Sequence, residues 1–302
     1  MLSISTKQLR YFHALSKFKH FGKAADYCAV TQPALSMQIK DLEETLGLSL
    51  VIRGKSMITL THDGDEIAQR AEKILANIQD IGDYAKTRTG LLSGVFRLGI
   101  IPTIAPYILP KLLPVLKENY PNLELKLRET TTTRLTEEIL QGHLDAILLA
   151  LPINNNDLEN QALFEDQFFL VTNNQDPIPN DNPKDLLDQG NLLLLEEGHC
   201  LRDQAISLCE RVSPQNLSQF GATSLKTLLE LVANNQGITL IPQLAARVEI
   251  PKESNLRLIK FPDPTPTRTI GLVWRKSSPR HKDFTTLSQE ISKVGSTLTN
   301  QR

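Results

Sequence analysis

The chain has 302 residues, 40% of them hydrophobic and 22% charged, with 33 basic against 34 acidic side chains. That length suits two or three soluble domains, and a net charge of −1 gives the molecule as a whole no field for a polyanion or a membrane surface. No apolar run approaches the roughly 18 residues of a membrane span, and residues 1–8 lack the apolar core of a secretory signal. A cytoplasmic chain is expected, in which three cysteines are not a structural disulfide framework.

Charge is distributed unevenly. Residues 1–62 carry Lys7, Arg10, Lys17, Lys19, Lys23, Lys40, Arg53 and Lys55 against Asp26, Asp41, Glu43 and Glu44, a mildly basic module on a neutral chain. Leu9, Phe12, His13 and Ser16 mark a first helix, and 22–28 form a short Ala-rich second helix in which Cys28 is a core residue. A turn at 30–32 leads to Pro33, which suits the first turn of a third helix. Leu35, Ile39, Leu42 and Leu46 give that helix one apolar face, and Gly47 stops it. Two short helices across a tight turn form a helix-turn-helix, whose second helix enters the major groove. Segments 50–52 and 58–60 pair as a small wing, with Arg53, Gly54 and Lys55 at a tip that can reach phosphates.

Phe21-Gly22-Lys23-Ala24-Ala25 and Thr31-Gln32-Pro33-Ala34-Leu35-Ser36 resemble the winged helix of the LysR-type transcriptional regulators. The resemblance implies double-stranded operator DNA as a partner. It places Thr31, Gln32, Pro33, Ser36 and Gln38 at the helix end facing DNA, with Lys40 nearer the backbone. The first domain is therefore expected over 1–62.

Residues 63–94 read as a dimerisation helix and linker. Ile67, Ala71, Ile74, Ile78, Ile81 and Ala85 recur at alternating spacings of four and three, a heptad seam that favours a partner helix. In LysR-type regulators a helix at this position dimerises the chain, and two dimers commonly share one operator, so a homodimer or homotetramer is implied. Thr89-Gly90 and Ser93-Gly94 then predict a flexible hinge.

From 95 to 302 strands and helices alternate. Strands are expected at 95–101, 123–127 and 144–149, with helices at 105–119 and 133–141, which argues a parallel sheet covered on both faces. Segment 164–171 reads as a crossover into a second lobe holding a helix at 224–233 and a strand at 238–241. A strand at 269–274 returns to the first lobe or joins its edge, and a helix closes the chain at 284–298. The fold class is thus α/β: a winged helix-turn-helix, a long dimerisation helix and a two-lobe effector domain. That domain resembles the LysR-type effector domain, which is similar to periplasmic solute-binding proteins. Ligands of such folds sit in the crevice at strand ends.

One stretch of the second lobe carries chemistry. After the apolar run 192–195, Glu196-Glu197-Gly198-His199-Cys200-Leu201-Arg202-Asp203-Gln204-Ala205 is followed by Cys209. Gly198 breaks the strand and a helix begins near Cys200, with Leu201, Ala205 and Leu208 on one face. A helix N-terminus, with His199 and Arg202 as possible cations, lowers a thiol's pKa. Two cysteines nine apart on a helix are otherwise ordinary small core hydrophobes. The segment 198–205 closely resembles the peroxide-sensing segment found in LysR-type regulators. That resemblance implies that hydrogen peroxide oxidises Cys200 and that Cys209 resolves it as a disulfide. Nine residues of ideal helix rise about 13 Å and a disulfide needs Cα atoms within about 7 Å, so pairing requires the helix to come apart.

The same resemblance brings Thr103, Thr132 and Arg268 to the site beside His199, Arg202 and Asp203; at Thr133 the family often has histidine. It further implies RNA polymerase as a partner and control of oxidative-stress genes. No metal-ligand spacing, phosphate loop or nucleophile elbow is present, so neither metal nor cofactor is expected. The basic winged helix argues against an enzyme such as a thiol peroxidase. The competing reading is a LysR-type regulator whose inter-lobe cleft binds a small metabolite, with the cysteines incidental.

Overall fold

A computed structural model describes residues 3–54, 58–86, 90–175, 182–189, 191–208, 217–251 and 254–300. The chain divides into two compact units, Met1–Ala85 with the short turn Leu140–Gly142, and the remainder from Lys86 to Arg302. Among the described residues no helix is long and apolar enough to cross a membrane.

The first unit is built on three helices. α1 (Thr6–Phe18) starts at a capping box in which the Ser5 hydroxyl accepts from the Gln8 N–H while the Gln8 side chain accepts from the Ser5 N–H. α2 (Phe21–Cys28) and α3 (Gln32–Leu46) follow. Thr31 is the N-cap of α3, Pro33 falls in its first turn, and Gly47 ends it at φ 67°, a conformation that favours glycine. Phe12, Leu15, Leu35, Ile39 and Leu42 are fully buried and form the core with the buried Cys28. β1 (Val51–Arg53) pairs antiparallel with β2 (Ile58–Leu60) as the wing; Lys55 lies outside the described residues.

α4 (His62–Lys86) is a single 25-residue helix, and the heptad seam divides along it. Ile67 packs against the core of its own unit and Ala71 is buried, whereas Ile74, Ile78 and Ile81 are 45%, 40% and 71% exposed. The first two seam positions thus hold the helix to its own unit, and among the described side chains Ile74, Ile78 and Ile81 present an apolar stripe outward.

The second unit has a sheet in the order β10-β6-β11-β5-β3-β4, with β9 also on β6. β3 (Gly94–Ile100) runs parallel to both β4 (Leu123–Glu129) and β5 (Ala146–Ala150), as expected of strand–helix–strand connections through α5 (Ala105–Asn119) and α6 (Thr132–Leu140). The rest of the sheet is antiparallel. β11 (Thr267–Arg275) lies between β5 and β6 (Leu158–Asn173) and opposes both. It is an interior strand, not the edge strand the sequence allowed. β6 has 16 residues and belongs to both lobes: its first part pairs with β11, its second with β9 (Thr239–Pro242) and β10 (Leu256–Lys260). The second lobe adds the parallel pair β7 (Leu192–Leu195) and β8 (Leu217–Ala222), with α7 (Pro183–Gln189), α8 (Cys200–Leu208), α9 (Leu225–Ala233) and α10 (Gln243–Glu249). The closing helix α11 (His281–Asn300) buries Phe284 against Phe96 and Trp274.

The segment expected to hinge is partly fixed. Thr89 lies outside the described residues. Leu92, however, is fully buried, and its N–H donates to Asp283 Oδ1 at 2.9 Å. Asp283 Oδ2 accepts from Arg280 Nε at 2.8 Å, and Arg280 Nη1 donates to the Val95 carbonyl at 2.9 Å. The guanidinium sits 4.7 Å from the Phe96 ring centre, a cation–π distance. Ser93-Gly94 is therefore tied into the second unit by α11. Asp283→Ala would leave the buried Leu92 N–H without its acceptor and the buried Arg280 guanidinium with Asp145 Oδ2, at 3.7 Å, as its remaining carboxylate. It should cost about 1–3 kcal/mol of this unit's stability, the cost of an unsatisfied buried donor, read as a drop in its urea midpoint; an unchanged midpoint would show that the anchor contributes nothing.

Candidate functional site

On the first unit, the α3 end carries Thr31, Gln32 and Pro33 exposed and Ser36 half-buried. The Thr31 hydroxyl makes no capping bond, which leaves the α3 N-terminus with backbone N–H groups suited to phosphate. Gln38 is turned along its own helix, Nε2 donating to Asp41 Oδ2 at 3.1 Å. Lys40 Nζ stands 3.3 Å from Glu44 Oε1. Arg53 closes β1 opposite Ile58.

In the second unit β7 ends at Leu195, and Gly198 turns the chain at φ 90°, where any other residue would be strained. Cys200 is the first residue of α8 and is half-buried. It opens onto a pocket of about 440 Å³ shared with Thr132, Thr133, Leu151, Asp203 and Gln204. Two oxygens of that lining, Thr132 Oγ1 and Gln204 Oε1, are buried without a hydrogen-bond partner. An unsatisfied buried acceptor costs about 1–3 kcal/mol, so both atoms favour a polar guest. Gln204 was not singled out from the sequence, although it lies one turn beyond Cys200 on the same helix, at the spacing that places two side chains on one face.

The remaining predicted residues are arranged differently. His199 faces a second, smaller pocket of about 150 Å³ with Thr103, Tyr107, Glu129, Ser224 and Glu249. Burial lowers the His199 imidazole pKa, partly opposed by Glu196, so the ring is neutral near pH 7 and does not supply the cation the sequence suggested. Tyr107 donates to Glu249 Oε1 at 3.1 Å; burial, then that carboxylate, push its phenol well above the ordinary value. Arg202 Nη1 donates to the Leu195 carbonyl at 3.0 Å, pinning the start of α8 to the end of β7.

Arg268 is the most buried of the set. Its Nε and Nη2 donate to Asp166 Oδ2 at 3.0 and 2.9 Å; Nη1 reaches Thr103 Oγ1 at 2.9 Å and Nη2 the Thr103 carbonyl at 3.1 Å. The other carboxylate oxygen, Asp166 Oδ1, accepts the Leu244 N–H at 3.0 Å. Both ion-pair side chains are 0% exposed. Thr103 and Arg268 thus form a buried support for the second pocket, and among the described residues of the predicted set Thr132 and Asp203 join Cys200 in its pocket.

Cys209 lies outside the described residues. α8 also departs from expectation at its end. Leu201 and Ala205 are buried, but Leu208 is 37% exposed, and its neighbours Ile206 and Ser207 are exposed as well. The helix is held by its first turn and a half, and unravelling it uncovers Leu201 and Ala205 rather than two leucines.

The His199 shift has a pH consequence. Its folded pKa lies below the unfolded value of about 6.5, so below that pH the unfolded chain binds the proton more readily and stability falls as pH falls. His199→Gln should flatten the stability of the second unit between about pH 6.5 and 5, measured as urea midpoints. A slope equal to that of the parent would assign the acid sensitivity elsewhere.

The chain is similar to known proteins over nearly its whole length. Residues 6–65 match the model of the bacterial regulatory helix-turn-helix proteins of the lysR family, and residues 89–295 match the LysR substrate binding domain. The HTH-type transcriptional regulator EstR of Acinetobacter baylyi is 37% identical over 295 residues, 97% of this chain and 98% of the relative. The DNA-binding transcriptional dual regulator OxyR of Escherichia coli is 36% identical over 290 residues, 95% of each. Among solved structures, a full-length OxyR variant from Pseudomonas aeruginosa superposes with a TM-score of 0.73 at 32% identity, covering 96% of this chain and 98% of that one. A hydrogen-peroxide-bound mutant of Corynebacterium glutamicum OxyR gives 0.67 at 32% identity, covering 99% and 95%. With a wing, a helix-turn-helix and a two-lobe α/β unit in one polypeptide, the chain belongs to the LysR family of DNA-binding transcriptional regulators, a family of regulators and not of enzymes.

Proposed function

We propose that this regulator senses hydrogen peroxide at Cys200 and stores the signal as a Cys200–Cys209 disulfide. The observation that carries the reading is the pocket of Cys200, with two buried oxygens lacking partners. Hydrogen peroxide has two O–H donors and fits a site that requires two. Similarity to proteins named hydrogen peroxide-inducible genes activators, and to a peroxide-bound OxyR, adds support. The Cys200 thiolate attacks one peroxide oxygen and the O–O bond breaks. The second oxygen leaves as hydroxide and takes a proton to become water, leaving a sulfenic acid. The Cys209 thiolate then attacks that sulfur, forms the S–S bond and expels hydroxide, which is protonated to water. Thr132 and Gln204 orient the peroxide, and Asp203 lines the approach. Arg202 holds the start of the segment that presents the thiol, His199 lines the neighbouring pocket, and Thr103 and Arg268 act from the buried support of that pocket.

The domain boundaries fit the same reading: 1–62 for DNA, 63–94 for dimerisation, 95–302 for sensing. The chain works in the cytoplasm, as a dimer or pair of dimers on an operator, and passes its signal to RNA polymerase. Thr31, Gln32, Pro33, Ser36 and Gln38 meet the DNA, with Lys40 and Arg53 at the backbone. A second reading, a small metabolite as the signal, is favoured by the separate pocket beside Thr103 and His199 and by the similarity to EstR.

Counting thiols separates the two. Of three cysteines, peroxide should remove two in the parent chain and none in Cys200→Ser, while Cys209→Ser should lose one and hold a trappable sulfenic acid. An unaltered peroxide response in Cys200→Ser would overturn the thiol mechanism. For the dimer, Ile78→Asp should sediment as a monomer, because a carboxylate in an apolar seam is desolvated on association; a dimer of unchanged affinity would remove the seam from the interface.

A further inference from the structure

Met37 lies on the outer pole of α3. At about 100° per residue it stands about 180° from the stripe of Leu35, Ile39 and Leu42, which are fully buried. It is 59% exposed, on a face where Pro33 and Lys40 are its exposed neighbours. In the free unit this apolar side chain gains nothing from facing water.

Charge limits which part of the helix can approach DNA. Residues 31–37 carry no charge, and the first turn holds no acidic residue. The second half carries Lys40 against Asp41, Glu43 and Glu44. Glu43 is turned inward, its Oε1 accepting the Leu50 and Val51 N–H groups. Asp41 and Glu44 remain as partners of Gln38 and Lys40, and their charge opposes phosphates. The uncharged half of α3 runs to Ile39, only this half can sit deep in a groove, and Met37 is exposed on its outer face.

A methionine at that point has one specific use. Its thioether donates no hydrogen bond and accepts only weakly, so it cannot read the polar edges of guanine, adenine or cytosine. The apolar group on the major-groove edge of the bases is the C5-methyl of thymine, and a flexible, polarizable side chain packs against it well. We propose that Met37 is a specificity-determining residue that reads a thymine methyl in each operator half-site. The proposal rests on the placement of α3 in the major groove put forward above.

The test uses the full chain. Binding duplexes are selected from a random pool, and each thymine of the selected duplex is replaced singly by deoxyuridine, which removes the methyl and leaves every hydrogen-bonding group. At one thymine per half-site the parent chain should lose about three- to fivefold in affinity, the factor for burying one methyl group. Met37→Ala should bind the thymine duplex weaker by a similar factor and lose nothing further on uracil. A parent chain indifferent to every uracil, or a Met37→Ala variant as sensitive as the parent, would overturn the proposal. Ser36→Ala in the same selection separates the causes. If it relaxes sequence preference while the uracil scan stays flat, α3 reads DNA without Met37. If it changes nothing and the scan is flat, the placement of α3 itself fails.

Discussion

One buried ion pair ties the two lobes of the second unit together. Arg268 and Asp166 face each other directly across β11 and β6, with no solvent access to either side chain. Two charges brought into a low-dielectric interior lose several kcal/mol of hydration each, an order-of-magnitude cost recovered only when their donors and acceptors are well matched. Here both carboxylate oxygens and every guanidinium nitrogen are used: Nε and Nη2 on Asp166, Nη1 on the Thr103 hydroxyl, Nη2 also on the Thr103 carbonyl, and the Leu244 N–H on the remaining oxygen. The pair therefore ties together the loop after β3, the two long strands and the start of α10. The loop that begins the first lobe's crevice and the helix that begins the second lobe's last layer are set by the same two side chains.

That arrangement also explains what the sequence concealed. Thr103 and Arg268 are recognisable as family positions, and a sequence reading naturally assigns them to the peroxide. Their actual placement requires Asp166, which the apolar appearance of 164–171 hides. The signal was present: Glu165 and Asp166 are adjacent carboxylates in a stretch otherwise rich in Phe and Leu, and strand alternation turns one of the two inward, where it needs a partner. Strand β6 shows the same limit. Its first half, Leu158-Glu159-Asn160-Gln161-Ala162, is largely exposed and reads as loop, because its regularity comes from pairing with β11, more than 100 residues away in the chain.

Local rules served better elsewhere. α3 is legible from an apolar stripe, a proline near its start and a glycine at its end, all of which act within one helix. α5 is legible over Ala105–Asn119 despite Pro110 and Pro114 inside it. Those prolines lie four apart and exposed, so each lost N–H frees a carbonyl on the solvent side. Cys200 at the start of α8 follows from Gly198 and the apolar strand before it. The Cys200 pocket is less legible, because Thr132 reaches it from α6 in the other lobe. The exposed end of α8 follows from tertiary packing, since helical spacing alone puts Leu208 with Leu201.

On the peroxide reading proposed above, the two unpartnered oxygens near Cys200 have a consequence for which oxidants are welcome. A guest with two hydroxyl hydrogens can satisfy Thr132 and Gln204 together. An alkyl hydroperoxide has one such hydrogen, so it leaves one oxygen dry even though Ala150, Leu151 and Pro152 could receive its hydrocarbon part. A lining of this kind discriminates among oxidants of equal reactivity before any electron moves. Selectivity then resides in the hydrogen-bond deficit of the pocket wall more than in the nucleophilicity of the sulfur.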